Sequence, residues 1–102
     1  MASLLWFFIG VFATNGVPHF VKGITGERFY TLFARDTSAV GNVLWGMANF
    51  LFAALLWRCI FGGRPPLSGA AWCALLLGGA LTALGLAHYF SHPELRLPWQ
   101  RD

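Results

Sequence analysis

The chain has 102 residues, 57% of them hydrophobic and 11% charged, with a formal net charge of +3. A soluble domain carries about 25% charged residues, so a water-soluble fold is excluded at the outset. The basic residues are scattered among apolar segments and do not form a patch, which excludes a nucleic-acid-binding surface.

A bilayer-spanning helix needs about 20 apolar residues. Three runs meet this length, at about 2–21, 38–61 and 68–90. They predict an all-α membrane protein: one integral domain of three transmembrane helices, with connections too short for a separate soluble core. The lipid bilayer is the first predicted partner.

The first run is apolar from Met1 to Phe12 and then meets Asn15-Gly16-Val17-Pro18-His19-Phe20, with Lys22 close behind. An amide, a Gly/Pro pair and an imidazole at membrane depth predict an interrupted first helix. Polar groups at that depth are costly and need partners, which makes Asn15, Pro18 and His19 candidate site residues. Val11-Phe12-Ala13 resembles a signal-peptide cleavage site, but no Lys or Arg precedes it. A secretory signal needs a basic n-region, so the run is expected to be retained.

The first connection begins with the polar turn Lys22-Gly23-Ile24-Thr25-Gly26-Glu27-Arg28. Phe29 to Ala34 follow, then Arg35-Asp36-Thr37-Ser38. Aromatics flanked by charge suit a membrane interface, so this segment is expected to lie on the surface or to be re-entrant. Thr37 or Ser38 is the expected N-cap of the second helix.

On the second span, Asn42, Gly46, Asn49 and Ala53 fall on one stripe at 100° per residue. Gly62 is placed to end that helix, Pro65-Pro66 block its continuation, and Ser68 is placed to cap the next. The tight turn predicts an antiparallel hairpin of the second and third spans. On the third span, Ala71, Ala74, Gly78, Thr82 and Gly85 share a stripe. Small residues let membrane helices approach closely, and amides can hydrogen-bond across the contact. Gly46, Gly78, Thr82 and Gly85 are therefore the expected helix-packing positions. A pocket or path lined by these stripes is the functional alternative. Pro93 and Pro98 end the third helix and stiffen the tail, where Trp99 is the expected interfacial anchor.

Alternation of chain direction lets depths be compared. His19, Asn42, His88 and Tyr89 all fall within one to two turns of the same membrane face, with Asn15 and Asn49 deeper in that half. Lys22, Arg28, Arg35, Arg96 and Arg101 lie on that side, against Arg58 and Arg64 on the other. The positive-inside rule then puts the N-terminus outside and the C-terminus in the cytoplasm.

Two histidines at one level are candidate axial haem ligands, and His88 and His92 have i, i+4 spacing of the kind metal sites use, with Glu94 or His19 as a further ligand. Pro93 disfavours helical geometry at His92, so neither a metal nor a cofactor is expected. The plain reading is that His19 and His88 bond neighbouring backbone or amide groups at the headgroup boundary. Glu27, Asp36, Glu94 and Asp102 all lie in connections or the tail, which argues against an acidic proton-coupled pump. No nucleophilic triad or phosphate loop is visible, so no enzyme is expected. Cys59 and Cys73 lie at similar depth, where a disulfide is imaginable and two free thiols are the expectation.

The strings Asn15-Gly16-Val17-Pro18-His19-Phe20-Val21-Lys22-Gly23, Phe29 to Ala34, and Asn42-Val43-Leu44-Trp45-Gly46-Met47-Ala48-Asn49 resemble a family of small, uncharacterised bacterial integral membrane proteins. The resemblance covers about the first half of the chain. Such relatives often carry proline where this chain has Leu32. The resemblance implies a bacterial inner-membrane location and no particular activity; the likeness to small four-helix proteins of the DoxX type is one of fold only. Three functions are consistent with these observations. One is an oligomeric binding or accessory module that takes a small apolar ligand or a partner membrane subunit. The second is a small transporter or channel, and the third a haem- or quinone-binding redox protein.

Overall fold

The computed structural model describes residues 2–95 and 97–100. Arg96 and Arg101, which enter the charge asymmetry above, lie outside the described residues. The chain forms α1 (Ala2–Ile24), α2 (Ala39–Phe61) and α3 (Gly69–Phe90). All three are long and apolar enough to cross a membrane. At about 1.5 Å per residue each exceeds the ~30 Å hydrocarbon core. This is the architecture of a multi-pass membrane protein.

The expected capping chemistry is present. Ser38 accepts a hydrogen bond from the Gly41 amide, and Ser68 accepts one from Ala71, both at 3.0 Å. Gly62 takes the left-handed conformation (φ 63°) and donates its N–H to the Trp57 carbonyl. A side chain is strained there, which is why glycine stops α2.

The first helix is not interrupted. α1 runs unbroken through the Asn15–Phe20 segment with Pro18 inside it. A proline in a solvated helix interior costs about 3 kcal/mol. In lipid, unravelling would expose further backbone groups with no water to take them, so tertiary contacts hold the helix through the proline. Those contacts are close. A Cβ on Gly16 would lie 2.9 Å from the Gly46 carbonyl oxygen, and one on Gly23 would lie 2.7 Å from that of Ala39. Asn15 and His19, on either side of Pro18, are both hydrogen-bonded to α2.

The arrangement of the other two helices also departs from expectation. α2 and α3 do not pack as a hairpin: no Cα of one lies within 8 Å of a Cα of the other. Both pack on α1 instead, α2 antiparallel and α3 parallel to it. The reason is the placement of small residues. Gly16 and Gly23 of α1 meet Gly46 and Val43 of α2, while Gly10 meets the backbone of Leu75 and Gly79, and Gly78 meets that of Phe7. α1 carries small residues for both partners; α2 and α3 each spend their small stripe on α1. At the N-terminal end of α1, Trp6 stacks on Phe61 with ring centroids 4.2 Å apart. Trp6, Ile9, Ala53 and Ala71 are the buried apolar core.

The first connection folds back over the opposite end. Phe29 and Thr37 form an antiparallel bridge with reciprocal 3.0 Å hydrogen bonds, closed by Arg28–Asp36 at 2.8 Å. The tail joins it: the Trp99 indole donates to the Leu32 carbonyl at 2.8 Å, Gln100 donates to the Thr31 carbonyl, and Arg35 donates to the Pro93 carbonyl. Trp99 is thus a clasp between tail and connection.

Candidate functional site

Two polar pairs cross the α1–α2 contact. The deeper is Asn15–Asn49, where the Asn15 amide donates to Asn49 Oδ1 at 3.0 Å and Asn49 donates to the Trp45 carbonyl at 2.8 Å. One to two turns away, His19 Nδ1 lies 3.1 Å from Asn42 Oδ1. Asn42 is fully buried, and its Nδ2 faces the carbonyls of Phe29, Thr37 and Ser38 at 3.0–3.1 Å. Those carbonyls fix the amide's orientation. Its oxygen therefore accepts from His19, and Nδ1 must carry the hydrogen. Asn42 thereby ties three parts of the fold together: α1, the start of α2 and the bridged connection.

His19 is 3% exposed. Its ring sits beside Phe29 and edge-on to Phe90, at centroid distances of 5.8 and 6.3 Å. Phe90 also meets Phe29 at 4.5 Å and Tyr30 at 5.5 Å. This aromatic cluster docks the end of α3 onto the connection. The Tyr89 hydroxyl donates to Gln100 Oε1, and Gln100 is itself buried.

These groups surround a cavity of about 220 Å³ between α1, the end of α3, the connection and the tail. Asn15, His19, Tyr30, Thr31, Trp45, Leu86 and Gln100 are among its walls. Trp45 is notable. Its indole Nε1 is buried and, among the described residues, has no hydrogen-bond partner. A buried unsatisfied donor costs about 1–3 kcal/mol and calls for an explanation.

The predicted site residues thus divide. Asn15, His19, Asn42 and Asn49 come together as expected, and Tyr89 joins through Gln100. His88 does not: it is exposed, and its ring pairs with His92 at 4.3 Å. Residue 88 falls one position off the face that carries Tyr89 and Phe90 inward. Pro18 does not line the cavity either; it borders a separate groove with Ala83, Ala87 and Phe90. Among the packing positions, Gly46 and Gly78 are buried against α1, and Thr82 is half-buried. Gly85 is not a packing position, because it is exposed and a Cβ there would meet nothing within 4 Å. Beyond the middle of α3 the bulky Leu86 and Phe90, not small residues, face α1.

Cys59 and Cys73 are free and exposed. Among the described residues, no three His, Cys, Asp or Glu side chains gather as a metal site would require. Sequence reasoning missed Trp45, Thr31, Phe90 and Gln100. Trp45 sits inside the Asn-Val-x-Trp-Gly-x-x-Asn string and one turn from Asn49, a signal that was available. Gln100 has no local signal, since its partner Thr31 is 69 positions away. Comparison with protein-family models, curated proteins and solved structures finds no match.

Proposed function

We propose that this chain is a non-enzymatic membrane module of the bacterial inner membrane that binds a small, largely apolar molecule in the cavity beside Asn15, His19 and Trp45. The observation that carries this reading is the cavity itself: an apolar-walled space with the amide of Asn15 and the imidazole of His19 among its lining residues. Binding sites of this type combine apolar walls with a few placed polar groups. At about 220 Å³ it lies below the usual range of about 300–1,000 Å³ for drug-sized ligands, so the ligand is small.

The charge asymmetry supports an N-terminus outside and a C-terminus in the cytoplasm, which puts the cavity in the cytoplasmic leaflet. The separation of α2 from α3 supports a homo-oligomer, because a second copy can cover the side of α1 that neither helix covers. The other two functions are less well supported by the geometry. α1 is continuous where a channel reading expects a break, and His88 faces outward, apart from the buried His19, where a haem reading expects a pair.

Native mass spectrometry of protein extracted from its host membrane tests the binding reading. A small-molecule adduct on wild type that is lost in Leu86→Trp, which fills the cavity, is the expected result. The same adduct profile for both proteins would refute it. Mass measurement in nanodiscs tests the assembly, and a strict monomer would count against it.

A further inference from the structure

The opposite end of the molecule holds a second cavity, of about 510 Å³, where α2 turns into α3. Arg58, from the last turn of α2, and Arg64, from the turn itself, both line it. The three acidic residues that the structure describes, Glu27, Asp36 and Glu94, all lie at the other end. Glu27 and Asp36 pair there with Lys22 and Arg28. Among the described residues, neither Arg58 nor Arg64 has an acidic partner, and no carboxylate lines the cavity.

Its lining is graded. Trp6 and Phe61, stacked on one another, supply an apolar wall. Arg58, Arg64 and Ser68 supply a polar one. α3 starts here, and Ser68 caps the Ala71 amide, so the amides of the first turn before it are left without helical acceptors. Their partial positive charge adds to that of the arginines. The turn that carries Arg64 is tied to α2, because the Trp57 indole donates to the Arg64 carbonyl at 2.9 Å. The backbone from which the Arg64 side chain extends is therefore fixed.

We infer that this cavity is a site for a phosphate-bearing anion, at the level where an anionic phospholipid presents its headgroup. Guanidinium forks match phosphate oxygens geometrically and keep their charge at any physiological pH. An apolar wall beside a cationic wall is the order in which a phospholipid carries its chains and its phosphate. The site is independent of the cavity near His19 and belongs to the other leaflet.

Native mass spectrometry of the protein released from phosphatidylcholine vesicles, with and without phosphatidylglycerol, tests this. Wild type is expected to retain phosphatidylglycerol, and R58Q/R64Q to retain about thirtyfold less, since each basic residue near a membrane surface contributes on the order of 1 kcal/mol. K22Q/R28Q, at the other end, is expected to match wild type. Both target arginines are exposed, and a far-UV spectrum equal to wild type shows that R58Q/R64Q folds. The single variants R58Q and R64Q, each expected to lose part of the retention, give the same reading should the double variant not fold. Equal retention by wild type and R58Q/R64Q overturns the site, as does an equal loss in K22Q/R28Q. Inorganic phosphate added to phosphatidylcholine vesicles separates the sources. Phosphatidylglycerol retention that phosphate does not displace assigns the lipid. A phosphate adduct that needs both arginines, without lipid retention, assigns the free anion. Retention of neither overturns the proposal.

Discussion

Replacing Gly78 with alanine tests how α3 is held. A Cβ at this position would lie 2.0 Å from the carbonyl oxygen of Phe7 and 2.9 Å from its carbon. Real Cβ contacts do not fall below 3.0 Å, so α3 must move about 1 Å away from α1. The obstructing atoms are backbone, so no rotamer change relieves the clash. Opening a packed contact by 0.5–1 Å forfeits roughly a quarter to a half of each dispersion well along it. Overpacking of this kind costs about 1–3 kcal/mol. Gly78→Ala is therefore expected to destabilise by about 2 kcal/mol. Gly10→Ala, whose Cβ would lie 2.2 Å from the Leu75 oxygen, should cost a similar amount. The two should combine less than additively, because one displacement relieves both clashes. Gly79→Ala meets the Thr14 hydroxyl at 3.0 Å and the Gly10 carbonyl oxygen at an ordinary 3.9 Å, and should be mild. Gly85→Ala meets nothing and should be neutral or stabilising by up to about 1 kcal/mol through helix propensity. Reversible unfolding in mixed micelles, followed by far-UV circular dichroism, reads the series. Gly78→Ala and Gly85→Ala agreeing within about 0.5 kcal/mol would refute the register of α3 on α1.

Three further outcomes are expected. A double-mutant cycle of Asn15→Ala and Asn49→Ala should give a coupling of about 0.6 kcal/mol, and no more than about 1.7, the range for hydrogen bonds between membrane helices. Asn42→Leu leaves His19 without its side-chain partner and takes a donor from three carbonyls. It should cost about 1–3 kcal/mol and speed hydrogen exchange at Phe29 and Thr37, whose bridge it borders; unchanged exchange there would sink the idea that Asn42 ties the connection down. Oxidation of the purified monomer should yield no Cys59–Cys73 disulfide. Disulfides need Cα atoms about 4.4–6.8 Å apart, whereas α2 and α3 nowhere approach within 8 Å. An intramolecular crosslink found by mass spectrometry would show that the two helices meet.

The buried face of α2 was fully legible in the sequence. Asn42, Gly46, Asn49 and Ala53 stand out among Leu, Phe and Trp neighbours, and all four are buried. Small and amide side chains are the exception in a membrane helix, so a stripe of them marks a contact. The stripe on α3 was legible only in its first half. Gly85 continues the spacing, but the contact there has passed to Leu86 and Phe90. Pro18 misled because its cost is a property of an isolated helix, and Gly16, Gly23, Asn15 and His19 supply the neighbours that hold this one. The hairpin failed for a related reason: a short turn fixes the ends of two helices near one another and says nothing of which faces meet. The cavity near His19 was half visible, since its helical walls follow from depth. Its other wall, from Thr31 and Gln100, depends on partners far apart in the chain.

The central position of α1 also bears on how the protein is made. Of the three helices, α1 is synthesised first and enters the bilayer before either partner that covers its docking faces. α2 emerges next and docks through Gly46, Asn42 and Asn49 without needing α3. α3 arrives last and finds the Gly10 face still vacant, so neither partner has to displace the other. Assembly is therefore additive, with α1 as its template. The tail closes the structure only after α3 is seated, when Gln100 and Trp99 reach back to Thr31 and Leu32. The latch on the first connection thus comes from residues 67 to 69 positions further along the chain.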